Sequence, residues 1–217
     1  NMNLVRPSTQ FIHTLRQLCT THNSILIFDE VMTGFRVGLG CAQQLLNIKP
    51  DLTTLGKVIG GGMPLAGFGG KKEIMDCLAP IGNVYQAGTL SGNPIAVTAG
   101  LANLQLIQQE GFYPNLNKIS QQLTHGLTKL AHAKGLAFSA DYIGGMFGFY
   151  FLENIPTSFN AVKQAEQTVF NKFFHHMLDN GVFFAPSMFE AGFICSMHTP
   201  EVINQTLALA EDALAKF

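Results

Sequence analysis

Residues 24–30, SILIFDE, give the clearest indication of the fold class of this chain. Its four consecutive apolar residues, ILIF, are followed directly by the two carboxylates Asp29 and Glu30. A continuous apolar run of this length is typical of a strand that is buried on both faces, as in a parallel sheet. Open α/β sheets bind ligands beyond the carboxyl ends of their strands. The sequence therefore predicts an α/β fold in which both acids lie at a ligand site.

The flanking segments predict two domains. An amphipathic helix over residues 8–22 precedes the SILIFDE strand, and Asn93-Pro94 opens a long helix that ends at Gly111. Further strands are predicted at residues 65–68, 136–140, 146–152 and 193–197, and further helices at residues 114–134, 160–180 and 201–216. We assign residues 1–110 to part of a larger domain with a mainly parallel sheet. Residues 111–217 form a small C-terminal α+β domain.

Composition excludes several classes of protein. The 217 residues carry 13 Lys and Arg against 14 Asp and Glu, and 47% of them are hydrophobic. Disordered chains and electrostatic nucleic-acid binders have other compositions, and no apolar run is long enough for a membrane span. Charged residues reach only 12%, about half of the usual ~25%. We therefore expect a partner subunit or a further part of the chain to cover some of this surface.

The four cysteines predict neither a disulfide framework nor a metal site. Cys19, Cys41, Cys77 and Cys195 are widely separated, and none belongs to a CxxC pair. A reducing cytoplasmic location and no bound metal are the expectations that follow.

Lys57 is the first candidate for chemistry. It lies between Gly56 and the glycine cluster at residues 60–62, where a ligand can approach the backbone closely. An ordinary solvated lysine is the alternative for this position. Asp29, 28 residues upstream, favours the chemical role. A lysine that holds an aldehyde as an imine, with an aspartate that keeps a pyridine ring cationic, suits pyridoxal 5'-phosphate (PLP).

A third segment, YQAGTLSGNP at residues 85–94, leads into the N-terminus of the long helix. Hydroxyl groups and free N–H groups at a helix N-terminus bind phosphate, so Thr89 or Ser91 is a candidate phosphate ligand. A plain cap by Asn93 is the alternative, and both functions can coexist.

These motifs resemble one enzyme family. Residues 29–36, DEVMTGFR, resemble the DEVxTGF segment of class III, fold-type I PLP-dependent enzymes. Residues 54–64, TLGKVIGGGMP, resemble the segment that carries their cofactor lysine. Residues 185–193, APSMFEAGF, resemble the APSxFEAGF segment of the aminomutase branch of that family. The resemblance extends in consistent order from about residue 1 to residue 217.

The resemblance implies a cytoplasmic homodimer that uses PLP and its pyridoxamine form. Its branch converts glutamate-1-semialdehyde to 5-aminolevulinate for tetrapyrrole (porphyrin) synthesis, and the amine migrates without an external donor. By resemblance, Lys57 holds the cofactor and carries a catalytic proton, and Asp29 pairs with the ring nitrogen. Thr89 would bind the cofactor phosphate of the other subunit. Glu190, the second catalytic candidate, would lie near the substrate in the small domain.

The resemblance also places the chain in the C-terminal half of such enzymes. Family members are about twice as long, and no arginine follows Arg36 to bind a substrate carboxylate. We therefore expect residues 1–217 alone neither to bind PLP tightly nor to turn over substrate. Two other functions stay open: a class III ω-aminotransferase with separate amino donor and acceptor, and a non-catalytic fragment or interaction domain.

Overall fold

The computed structural model describes all 217 residues, which divide into two compact units. The N-terminal unit is Pro7–Phe112, and the C-terminal unit combines Asn1–Arg6 with Tyr113–Phe217. The sequence predicts one domain over residues 1–110. The structure instead groups the first six residues with the C-terminal unit.

A three-stranded sheet organises the N-terminal unit. Its strands are β1 (Ile27–Asp29), β2 (Leu52–Leu55) and β3 (Gly67–Gly70), in the order β1-β2-β3. β1 and β2 are parallel, and Asp29 is paired with Thr54. β3 runs antiparallel to β2. The parallel pairing predicted for the SILIFDE strand is confirmed, but β3 gives the sheet one antiparallel edge.

The N-terminal unit also contains helices and one 3-10 turn. They are α1 (Thr9–Thr21), α2 (Cys41–Leu45), a 3-10 turn (Lys57–Gly60), α3 (Lys72–Met75) and α4 (Pro94–Ile107). The predicted cap of the long helix is confirmed, because the Asn93 side chain accepts a hydrogen bond from the Ala96 N–H at 3.0 Å. The cap fixes where α4 begins relative to the segment that contains Thr89.

A buried carboxylate joins the sheet to α1. Asp51 is 4% exposed and accepts hydrogen bonds from the Leu26 N–H and the Arg16 guanidinium, both at 2.7 Å. The Lys71 ammonium lies 2.7 Å from its other oxygen. The Leu26 N–H, then Lys71 and Arg16, hold the pKa of Asp51 well below its usual range. Asp51 is therefore an anion at neutral pH and links the start of β1, α1 and the end of β3.

The expectation that β1 is buried on both faces is wrong for this structure. Ile25 and Ile27 are each 53% exposed. α4 exposes Ile95 and Leu101 in the same unit. The apolar pattern of SILIFDE therefore marks a surface that nothing in the described residues covers.

The C-terminal unit is an antiparallel sheet packed with helices. Strands β4 (Ser139–Ile143), β5 (Met146–Tyr150) and β6 (Gly192–Phe193) lie in the order β4-β5-β6. The helices are α5 (Phe112–Ala133), α6 (Phe159–Val162), α7 (Gln167–Asp179) and α8 (Pro200–Leu214). The single helix predicted over residues 160–180 is two helices, because the chain turns between α6 and α7 and the Glu166 N–H bonds to the Phe151 carbonyl at 3.1 Å. No helix of the structure is long and apolar enough to cross a membrane.

Packed aromatic rings form the core of this unit. Phe149 and Phe151 of the sheet region each contact Phe173 of α7, with ring centroids 5.7 Å apart. Phe173 is fully buried. The phenylalanine-rich composition therefore supplies the core of the C-terminal unit.

The first residues of the chain belong to this core. Tyr150 is 2% exposed, and its hydroxyl donates to the Leu4 carbonyl at 2.6 Å and accepts from the Leu4 N–H at 3.0 Å. The Asn3 amide donates to the carbonyls of Phe149 and Met188. These hydrogen bonds explain why Asn1–Arg6 group with the C-terminal unit.

Candidate active site

Asp29 and Lys57 lie at the same edge of the N-terminal sheet. Asp29 is the last residue of β1, and Lys57 follows the carboxyl end of the neighbouring strand β2 after Gly56. Because the two strands are parallel, their carboxyl ends meet at one edge, where open α/β sheets bind ligands. The structure therefore brings two of the predicted site residues to one edge.

The Asp29 carboxylate is held by one of its two oxygens. Oδ1 accepts a hydrogen bond from the Val31 N–H at 2.9 Å and from the Thr54 hydroxyl at 3.2 Å. Thr54 is the residue on β2 that is paired with Asp29. Oδ2 accepts no hydrogen bond from the protein, and the side chain is exposed. The carboxylate is thus oriented and keeps one oxygen available for a ligand.

Lys57 begins the 3-10 turn with a left-handed backbone. Its φ angle is +47°, in a region of backbone conformation that residues other than glycine rarely adopt. The side chain is exposed and has no ion-pair partner. Behind it, a Cβ at the buried Gly56 would approach the Val31 side chain to 3.2 Å. The turn therefore packs closely against the loop after Asp29 and presents an unpaired ammonium group.

The segment before α4 presents Thr89 at the surface of the same unit. Thr89 is exposed in a turn that the Ser91 N–H closes by donating to the Gly88 carbonyl at 3.0 Å. A Cβ at Gly88 would lie 2.5 Å from the Ser91 hydroxyl, so the turn is compact. Asn93 then caps α4. An exposed hydroxyl therefore lies in the segment that leads into the positive end of a fourteen-residue helix, and a helix N-terminus binds phosphate.

Glu30, beside Asp29, has a different surrounding. It is 1% exposed, and its carboxylate accepts hydrogen bonds from the Ala42 N–H at 3.0 Å and the Gln43 N–H at 2.8 Å. The Thr33 hydroxyl also bonds to it. These bonds tie the loop after Asp29 to the first turn of α2. Of the two acids that end the SILIFDE strand, Glu30 is structural and Asp29 faces outward.

Burial shifts the pKa values of two further side chains, those of Arg36 and Cys41. Arg36 donates from Nε to the Met32 carbonyl at 2.9 Å, and burial lowers the pKa of its guanidinium. Burial also raises the pKa of the Cys41 thiol, which accepts a hydrogen bond from the Phe35 N–H at 3.4 Å. The Cys41 thiol is therefore neutral near pH 7 and packs as an apolar group.

Glu190 lies in the C-terminal unit. It is exposed, and its N–H donates to the Ser187 carbonyl at 3.0 Å. It lines a cavity of about 670 Å³ whose wall also includes Phe147, Phe184 and His198. Glu190 thus borders a space large enough for a small molecule, within its own unit.

Comparison with known protein families decides the family. The model of the family described as aminotransferase class-III matches residues 1–209. The chain belongs to the class-III aminotransferase family. This confirms the resemblance drawn from residues 29–36, 54–64 and 185–193.

Curated relatives narrow the likeness within the class-III aminotransferases. The chain is 59% identical to the glutamate-1-semialdehyde 2,1-aminomutase of Nitrosospira multiformis over 216 residues, which are 100% of this chain and 51% of the relative. It is 59% identical to that of Bordetella avium, covering 99% of this chain and 50% of the relative. The chain thus spans about half the length of the curated relatives it matches. Its placement in their C-terminal half stays a prediction.

Solved structures confirm the fold-type I fold. An omega-transaminase from Sphaerobacter thermophilus matches with a TM-score of 0.91 and 26% identity, over 98% of this chain and 49% of that chain. A glutamate-1-semialdehyde-aminomutase from Pseudomonas aeruginosa PAO1 matches with a TM-score of 0.85 and 23% identity, over 98% of this chain and 49% of that chain. The two units are therefore parts of the transaminase fold.

Sequence reasoning missed the contacts that two residues make at this edge of the sheet. Thr54, which bonds to Asp29, gives no signal until the register of β1 against β2 is known. The sequence predicts Glu30 at the ligand site beside Asp29, but Glu30 instead caps α2 through contacts with residues twelve and thirteen positions away. The identity of the neighbouring strand residue could have been found only from the pairing.

Proposed function

We propose that these residues serve a PLP-dependent glutamate-1-semialdehyde 2,1-aminomutase, which forms 5-aminolevulinate for tetrapyrrole synthesis. The observation that carries the proposal is the placement of Asp29 and Lys57 at the carboxyl ends of two adjacent parallel strands. Curated relatives with that name, 59% identical to this chain, support the choice of substrate.

The residues present fit PLP. The cofactor needs an amine for its aldehyde, an anion for its ring nitrogen and donors for its phosphate. Lys57 has an exposed ammonium group without an ion-pair partner, and Asp29 has a free carboxylate oxygen. Thr89 is an exposed hydroxyl in the segment that leads into α4. The donor set thus matches each polar end of the group.

When bound, PLP supplies an electron-accepting ring that stabilises negative charge on the substrate carbon. Asp29 holds the proton of the ring nitrogen, because an adjacent carboxylate favours the protonated, cationic ring. The hydrogen bonds from Val31 and Thr54 fix the carboxylate for this contact. Lys57 would bind the cofactor aldehyde and would carry a proton between the cofactor and the substrate.

Thr89 and Glu190 have supporting roles in the proposal. Thr89 binds the phosphate of the cofactor held by the other subunit, so the enzyme works as a homodimer. Glu190 lies near the substrate and tunes the charge around the reacting amine. Its exposure on a cavity wall supports access to a small molecule.

The nearest alternative is a class III ω-aminotransferase. The structural match to an omega-transaminase, with a TM-score of 0.91, favours this second candidate. The two activities differ in their need for a donor. The natural protein that carries this sequence is loaded with pyridoxamine 5'-phosphate and given glutamate-1-semialdehyde alone. The proposal predicts many equivalents of 5-aminolevulinate per cofactor, measured by chromatography.

Matched variants sharpen this assay. Lys57→Ala abolishes turnover, whereas Lys49→Ala, which removes another exposed lysine of the same unit, leaves turnover unchanged. Formation of 4,5-diaminovalerate that stops at one equivalent per cofactor until an amino donor is added supports the ω-aminotransferase. Product formation by neither route, in a protein that is folded, supports a non-catalytic role. The isolated 217-residue chain is expected to be inactive.

A further inference from the structure

The backbone at Lys57 requires support from its surroundings. A φ of +47° at a residue with a Cβ is unfavourable, and such conformations persist only where neighbouring structure enforces them. Within the turn, the Ile59 N–H donates to the Gly56 carbonyl at 3.2 Å and the Gly61 N–H to the Val58 carbonyl at 3.1 Å. Two bonds within a short 3-10 turn hold it weakly, since such turns have poor hydrogen-bond geometry.

α4 supplies a rigid surface against this turn. Gly61 has a φ of +57°, and a Cβ there would lie 2.7 Å from the Ala99 carbonyl oxygen. A Cβ at Gly100 of α4 would collide with the Ile59 carbonyl oxygen. Helix and turn therefore approach each other backbone to backbone at these two positions, which leaves no room for a side chain at Gly61 or Gly100.

Asn103, one helical turn after Gly100, closes this contact with a hydrogen bond. Its Nδ2 donates to the Val58 carbonyl at 2.7 Å, across 45 positions of sequence, and the bond is partly buried. The accepting residue is the immediate neighbour of Lys57. Asn103 is half-buried, so water competes only partly for the carbonyl.

We infer that Asn103 is a positioning residue for Lys57: its amide fixes the Val58 carbonyl and thereby the direction in which the Lys57 side chain leaves the turn. This inference rests on the proposed function, because it concerns the same lysine. A reactive group held within a fraction of an ångström reacts faster than one on a loose turn. Loss of the amide donor therefore lowers the reactivity of Lys57 without removing any group that touches the cofactor.

The test measures where PLP attaches. The natural protein is exposed briefly to limiting PLP and reduced with borohydride, and pyridoxyl groups on each lysine are quantified by peptide mass spectrometry. Asn103→Asp keeps the size of the side chain but removes the donor, and Asn103→Leu removes the polar group altogether. Gln108→Leu is the matched control, because it removes an amide that bonds to the Leu104 carbonyl within the same helix.

We expect PLP to label Lys57 about fivefold less in both Asn103 variants, relative to the other lysines. A loss of about fivefold corresponds to the free energy of one hydrogen bond. In the Gln108→Leu variant, Lys57 carries as much pyridoxyl group as in the wild type. Melting curves of all variants are recorded, and Asn103→Asp decides the matter if the leucine variant unfolds. Labelling of Lys57 that is unchanged in both Asn103 variants, or that falls in step with every other lysine, overturns the inference. A wild type that does not label Lys57 overturns the proposed function instead.

Discussion

Replacing Asp51 by Asn tests the electrostatic anchor of the N-terminal unit. The change keeps the size of the side chain and an oxygen for the Leu26 N–H, but it removes the negative charge between Arg16 and Lys71. The Arg16 side chain is only 22% exposed, whereas that of Lys71 is 47% exposed. Lys71 can regain water after the substitution, and Arg16 regains much less.

The expected loss is about 3 kcal/mol of unfolding free energy, at the lower end for a buried ion pair that loses one partner. That corresponds to a fall in melting temperature of about 10 °C. The pKa of Asp51 is lowered in the folded state, so its contribution is complete above the unfolded pKa of about 3.9. It is lost as the pH falls through the folded pKa.

Urea unfolding of wild type and Asp51→Asn at pH 7 and at pH 3, followed by circular dichroism, measures this difference. The gap between the two proteins is expected to be full at pH 7 and smaller at pH 3. Asp76→Asn is the control, because it breaks the exposed Lys72–Asp76 pair of the same unit and costs less than about 1 kcal/mol. A gap below 1 kcal/mol at pH 7, or one that grows in acid, would refute the reasoning.

Two further substitutions test the packing and the polar core. Gly100→Ala places a methyl group against the Ile59 carbonyl and is expected to lower the free energy of unfolding by about 1–3 kcal/mol, measured by thermal unfolding. Gly38→Ala is the control, because a Cβ at Gly38 meets nothing within 4 Å. Tyr150→Phe leaves the Leu4 N–H and carbonyl without their partner and is expected to cost about 1–3 kcal/mol at pH 7. Burial raises the pKa of Tyr150 to about 12. The wild type therefore loses this stability as pH rises from about 10 towards 12. An equal loss of unfolding free energy at alkaline pH in Tyr150→Phe contradicts this account.

Sequence reasoning predicted the elements whose signals are local. The apolar run before Asp29 predicted β1 and its parallel partner, and Asn93-Pro94 predicted the start of α4. Turn residues and caps act over a few positions, so they can be read without the fold. The motif around Lys57 predicted the family for the same reason.

Features that depend on distant contacts were not predicted. The prediction that β1 is buried on both faces was wrong, because burial depends on what packs against a strand and not on the strand alone. Asn1–Arg6 join the C-terminal unit through hydrogen bonds to residues about 146 positions away. The contacts of Thr54 and Asn103 likewise required the register and the helix packing.

The attachment of PLP to Lys57 is the central claim, and one measurement tests it most directly. The natural protein is incubated with PLP, reduced with borohydride and digested, and the modified peptide is sequenced by mass spectrometry. We predict a pyridoxyl group on Lys57, and its loss in Lys57→Arg while Lys49→Arg keeps it. Labelling spread evenly over the surface lysines, or none on Lys57 in a folded protein, would contradict the account.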